Sequence, residues 1–103
     1  MRRVIDKRVY DTDTAELVHC WDNNLGDSDI NQCEETLYRT PNGRWFVWGR
    51  GGANTRWNEQ IETNHWAAGE GLRALGPDEA LLWLEDHNVP AETVERYFKV
   101  KAA

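Results

Sequence analysis

Cysteine is scarce in this chain, with Cys20 and Cys33 the only two among 103 residues. That number argues against a disulfide-stapled scaffold. The two positions are separated by a loop-like segment, and a reducing cytosol would keep both as thiols. Long apolar runs are missing too, since no stretch approaches the ~18–20 residues that span a bilayer. Met1-Arg2-Arg3 leads into Val4-Ile5-Asp6 rather than into the hydrophobic region of a secretion signal, so a cytoplasmic protein is expected. Positive charge is in deficit: twelve Lys plus Arg face eighteen Asp plus Glu, for a formal charge of −6. Such a balance disfavours nonspecific attraction to nucleic acid phosphates and favours basic partners. Repeats and low-complexity tracts are absent, and no composition shift marks a domain boundary.

The length suits one domain over residues 1–103, with a radius of gyration near ~13 Å, and leaves too little chain for two independent cores. Six tryptophans are present. Because each buried aromatic removes roughly 150–250 Å² from water, an aromatic-rich core or interface is expected, and disorder is not.

The segment Glu35 to Ala53 carries the strongest local signal. Two β-prone runs flank Pro41-Asn42-Gly43, which suits a type I turn with Pro41 at its second position and Gly43 left-handed, closing a three-residue hairpin loop. That register pairs Thr40 with Arg44. It sets Tyr38 opposite Phe46 and Thr36 opposite Trp48 on one face, with Arg39 opposite Trp45 and Leu37 opposite Val47 on the other. A two-residue Asn-Gly loop would separate these matches.

Around this hairpin, Arg3 to Tyr10 reads as two short strands about a tight turn at Asp6-Lys7. Asp11-Thr12-Asp13-Thr14 then offers N-cap oxygens, and Asp13 with Glu16 approximates a capping box. Ala15, Val18, Trp21 and Leu25 recur at helical spacing, which predicts a helix ended by Asn23, Asn24 and Gly26. Asp27 to Gln32 is a polar connector. After the hairpin, Gly49 through Gly71 reads as a structured loop with one short helical turn, anchored by Trp57, Ile61 and Trp66. Gly71 to Leu75 returns as a short edge strand. Gly76-Pro77-Asp78-Glu79 opens a helix with proline at its first position and acids near its positive end. Ala80, Leu81, Trp83, Leu84 and His87 form its inner face, while Glu85 and Asp86 are solvated. A further helix starts near Val89-Pro90-Ala91-Glu92 and buries Val94, Tyr97 and Phe98. The expected fold is α+β: an antiparallel β-sheet with a central β-hairpin and about three helices packed mainly on one side.

Reactive residue types are present without reactive spacing. His19, Cys20, Cys33, His65 and His87 lack the paired ligands, two to four residues apart, of a tetrahedral zinc site. Asp11 with Asp13, Asp27 with Asp29, and Glu34 with Glu35 fit caps, turns and solvated loops better than acid–base pairs. No nucleophile elbow, Walker loop or dinucleotide fingerprint occurs. Gly49-Arg50-Gly51-Gly52 lacks the lysine and hydroxyl residue of a phosphate loop and reads as a tight connector. Arg39, Arg44, Arg50 and Arg56 with Trp45, Trp48 and Trp57 would make an aromatic-basic platform for single strands, set against hairpin packing in an acidic chain. No catalytic, cofactor-binding or metal-binding residue is assigned, and the chain is not expected to be an enzyme.

Tyr10-Asp11-Thr12-Asp13-Thr14-Ala15, Glu35-Thr36-Leu37-Tyr38-Arg39-Thr40, Gly43-Arg44-Trp45-Phe46, Gly51-Gly52-Ala53, Asp78-Glu79-Ala80 and Trp83-Leu84-Glu85 occur in that order. In this order they resemble a family of small, largely uncharacterised proteins of bacterial phages, plasmids and other mobile elements. The resemblance spans nearly the whole chain and supplies no active site to carry over. It implies an accessory protein of the anti-CRISPR type, a noncatalytic host-defence inhibitor that binds a bacterial CRISPR–Cas protein or complex. The alternative it leaves is a nucleic-acid-associated accessory or regulatory protein of a mobile element. For direct partner binding, the candidate residues are Glu85, Asp86, Glu92 and Glu95 on the C-terminal helices, with Arg50, Trp57 and Trp66 in the central loop. An acidic surface gains association rate from long-range attraction, and Trp and Arg are enriched among dominant interface contacts.

Overall fold

A computed structural model describes residues Met1–Ala103. The chain begins with β1 (Arg2–Ile5) and β2 (Arg8–Asp11), an antiparallel hairpin whose turn residues Asp6 and Lys7 both have positive φ. Next come β3 (Glu16–Asp22), β4 (Cys33–Arg39) and β5 (Trp45–Gly51). A second hairpin, β6 (Glu59–Glu62) with β7 (His65–Ala67), precedes β8 (Gly69–Leu75). Two short helices close the chain, α1 (Pro77–Asp86) and α2 (Ala91–Glu95). The central sheet is antiparallel in the order β3-β4-β5-β8. The protein is therefore a β-rich α+β fold, with two helices rather than about three.

The β4–β5 hairpin has the predicted register, from Arg39 opposite Trp45 through Thr36 opposite Trp48. Thr40 donates its amide to Arg44 O at 2.8 Å, and Gly43 has φ +81°. The sequence reading fails between Ala15 and Leu25, where a strand replaces the expected helix. A bulge between Leu17 and His19 breaks the two-residue alternation, so Val18 and Trp21 both pack against the same core. Their spacing of three then imitates a helix. The supposed cap also serves a turn: Asp11 Oδ1 accepts the Asp13 amide at 2.9 Å. The segment from Gly49 through Gly71, expected as a structured loop with one short helical turn, is strand at both ends, so that Arg50 belongs to β5 and Gly69–Gly71 to β8, and the β6–β7 hairpin lies between them. Of its supposed anchors only Trp57 is buried, while Ile61 and Trp66 are exposed.

Strand alternation sends Leu37, Trp45, Val47 and Leu75 to one face of the sheet, where they meet Ala80, Trp83 and Leu84 of α1. Val94, Tyr97 and Phe98 complete that layer, with Trp45 stacked on Phe98 and edge-on to Tyr97. Both helices thus lie on one side, as predicted. The opposite face holds a smaller cluster of Tyr10, Phe46 and Leu72, which brings in the β1–β2 hairpin. Projecting hairpins make the molecule slab-like, 47 × 33 × 20 Å, and raise the radius of gyration to 14.9 Å.

Helix α1 starts and stops on identifiable chemistry. Glu79 reaches back to accept the Gly76 amide at 3.0 Å, ahead of Pro77 in the first turn. At its end Asn88 is left-handed, Asn88 N donates to Glu85 O, and Val89 N donates to Leu84 O, which forms a complete Schellman motif. Val89 packs on the core immediately beyond it.

Candidate functional site

Glu35 is the least expected residue of the core. On β4 it alternates with Cys33 and Leu37, so its side chain joins the helix-covered face, and it is 5% exposed. Across the sheet its row continues through Gly49 to Gly71. Neither glycine projects a side chain, and the Trp57 indole occupies the space above them. Trp57 Nε1 donates to Glu35 Oε2 at 2.9 Å, while Trp83 Nε1, from α1, donates to Oε1 at 2.8 Å. The carboxylate thereby ties the sheet, the central loop and the helix to one another.

His87 caps the C-terminal end of α1 beside this network. Its Nδ1 lies 2.6 Å from the Trp83 carbonyl oxygen, an acceptor only, so the neutral ring carries its proton on Nδ1. Nε2 then faces Glu35 Oε1 at 3.7 Å. The imidazole stacks on Trp83 and meets the edge of Trp21. Nearby, burial lowers the pKa of His19, with a smaller contribution from His87 in the same direction.

These groups bound a cleft of about 560 Å³ between α1 and the loop at Thr55-Arg56. Trp21, Cys33, Glu35, Trp83 and His87 line it, together with the charged residues Arg56, Arg73, Glu79 and Asp86. Cys33 and His87 are the residue types of a thiol nucleophile and its base. However, burial raises the Cys33 pKa, and Glu35 raises it further, the reverse of what an activated thiolate needs. Cys20 sits opposite Thr36 on the other face of the sheet, so the two thiols do not meet, and both are free. No group of three or more His, Cys, Asp or Glu side chains has a metal-holding arrangement.

The residues singled out for partner binding fall in different settings. Glu85, Asp86, Glu92 and Glu95 are all exposed, and none forms an ion pair. Glu85 and Asp86 occupy the last turn of α1, which contains no base. Trp66 is 48% exposed on β7. Arg50 is committed within the protein, bridging Glu34 and Asp27. Trp57, at 8% exposure and bonded to Glu35, belongs to the core and leaves the set of surface candidates. Burial of Trp45 and Trp57 likewise dismantles the aromatic-basic platform, and Trp48 Nε1 is bonded to Glu70. The reactive-looking carboxylate pairs resolve as structure: Asp11 and Asp29 accept amides two residues on, Glu34 pairs with Arg50, and Glu35 is buried.

Sequence reasoning missed the cleft as a unit. The signal was an inward-facing acid, Glu35, within an otherwise core-directed strand position, together with tryptophans whose N–H groups need an acceptor when buried. A scan against known protein families, a search of curated proteins and a search of solved structures each find no match to this chain. No helix is long and apolar enough to cross a membrane.

Proposed function

We propose that this protein is a noncatalytic, phage or mobile-element inhibitor of a bacterial CRISPR–Cas complex, acting by direct binding to a basic surface of that complex. The observation that carries the binding role is the set of exposed acids on α1 and α2 that have no ion-pair partner. Glu85, Asp86, Glu92 and Glu95 are exposed and unpaired. Glu85 and Asp86 also stand at the negative end of the α1 dipole, where acids are disfavoured by about 0.3–1 kcal/mol each. A position that works against local stability is where a binding requirement is sought. Opposite charge on a partner converts this placement into faster encounter and correct orientation. Trp66, exposed on the β6–β7 hairpin, adds a large apolar contact. The resemblance to mobile-element accessory proteins supports a defence complex as the target.

Affinity purification of the tagged protein from a CRISPR-bearing bacterial host tests this reading. Recovery of a stoichiometric Cas protein or complex that survives nuclease treatment is the expected result. Recovery of nucleic acid alone, lost on nuclease treatment, would favour a nucleic-acid-associated accessory role.

A further inference from the structure

The cleft beside α1 selects for one kind of occupant. Its Glu35 carboxylate accepts one indole N–H on each oxygen. A carboxylate has about four acceptor positions, so the two tryptophans leave capacity unused. No Lys or Arg pairs with it, and its nearest base is His87 at 3.7 Å. Glu35 is 5% exposed and lines the cleft, so any group that closes the cleft takes the last of its surface out of solvent. An apolar or anionic group would leave the carboxylate with only the two indole donors and His87 beside it, whereas an ammonium or guanidinium supplies a further donor and a full counter-charge. Trp21 borders the same space and offers aromatic surface to a cation. The lining carboxylates Glu35, Glu79 and Asp86 outnumber the guanidiniums Arg56 and Arg73. Both arginines are exposed and form no ion pair, so their long side chains are free to turn into solvent when a cation enters.

We propose that this cleft receives a lysine or arginine side chain of a protein partner, with Glu35 as the terminal acceptor, Trp21 as the aromatic wall and Asp86 as the rim charge. The inference rests on the binding role proposed above and assigns its most buried contact. It also joins the acidic helix to the core, because Asp86 and Trp83 share α1 and Trp83 donates to Glu35.

The test uses N-acetylarginine amide as the probe and N-acetylcitrulline amide, its neutral isostere, at matched ionic strength. Resonances of the Trp57 and Trp83 indole N–H groups in the labelled protein report directly on the Glu35 carboxylate. Both are expected to move saturably with the arginine probe and far less with citrulline. Asp86→Asn, at an exposed position outside the core, is expected to weaken the arginine response about two- to fivefold, the range of an exposed charge pair. Unmoved indoles, equal responses to the two probes, or an Asp86→Asn variant with unchanged affinity would overturn the proposal. Because the probe replaces the partner, its outcome is separable from the target assignment. Arginine binding without recovery of a Cas complex would retain the cleft and remove the target; a recovered complex without an arginine response would do the reverse.

Discussion

The Trp57 indole rests on the bare backbone of Gly49, so closely that a β-carbon on Gly49 would overlap the ring. This approach puts Trp57 Nε1 within 2.9 Å of Glu35. Gly49→Ala must displace the indole, breaking a hydrogen bond to a buried carboxylate and opening the core beside it. A loss of roughly 2–5 kcal/mol is expected from the overpacking and the broken hydrogen bond together. Chemical denaturation measures it, and near-native stability would contradict the packing described here.

Trp83 makes the matching bond from the helix. Trp83→Phe keeps an aromatic ring but removes the N–H that reaches Glu35 Oε1. Leaving one oxygen of a buried carboxylate without its donor should cost about 1–3 kcal/mol. Equilibrium unfolding should also show α1 loosening, read as faster amide exchange at Leu84 and Val89; unchanged exchange and stability would assign Glu35 no tethering role.

At the tip of the central hairpin, Gly43 is left-handed with φ +81°. Gly43→Val places a β-branched side chain in that region and should destabilise by about 1 kcal/mol or more. A thermal melt checks this, with an unaltered midpoint as the contrary result.

Acidification should weaken the fold through His19. Its folded pKa lies below the ordinary 6.5 because burial, and secondarily the charge on His87, disfavour the imidazolium. The unfolded chain therefore binds the proton first as pH falls through 6.5. The His19 contribution is fully present above that value, declines below it, and is lost once the pH passes the lower folded pKa. His19→Gln should flatten the stability profile across this window, compared by melting both proteins from about pH 7.5 down to about pH 5. Parallel profiles would contradict the assignment.

What could be read from the sequence follows from how local each determinant is. Pro41-Asn42-Gly43 fixes a turn and thereby every cross-strand pair of β4 and β5, and Pro77 with Glu79 fixes the start of α1. β3 is different. Its bulge places Val18 and Trp21 on one core at helical spacing, and only pairing with β4 makes that segment a strand. The β6–β7 hairpin has little apolar alternation to betray it, since Glu59–Glu62 is exposed throughout. The exposed acids Glu85, Asp86, Glu92 and Glu95 were legible because helical periodicity sorts them from Leu84 and Val94. The cleft was not, because Glu35, Trp57 and Trp83 meet only after the glycine row admits one indole and α1 delivers the other.

The set of exposed acids on α1 and α2 is the centre of the binding account, and the rate of association tests it most directly. Association of a recovered Cas complex should be followed for the wild type and for a variant combining Glu85→Lys, Asp86→Lys, Glu92→Lys and Glu95→Lys, across a range of salt. The fold should persist, since exposed substitutions usually change stability by less than about 0.5 kcal/mol. Association of the variant should be slower, with the gap widest at low salt and shrinking as screening shortens to ~8–10 Å near physiological ionic strength. Equal association rates for the two proteins at every salt concentration would contradict the account and leave these carboxylates as solvated surface.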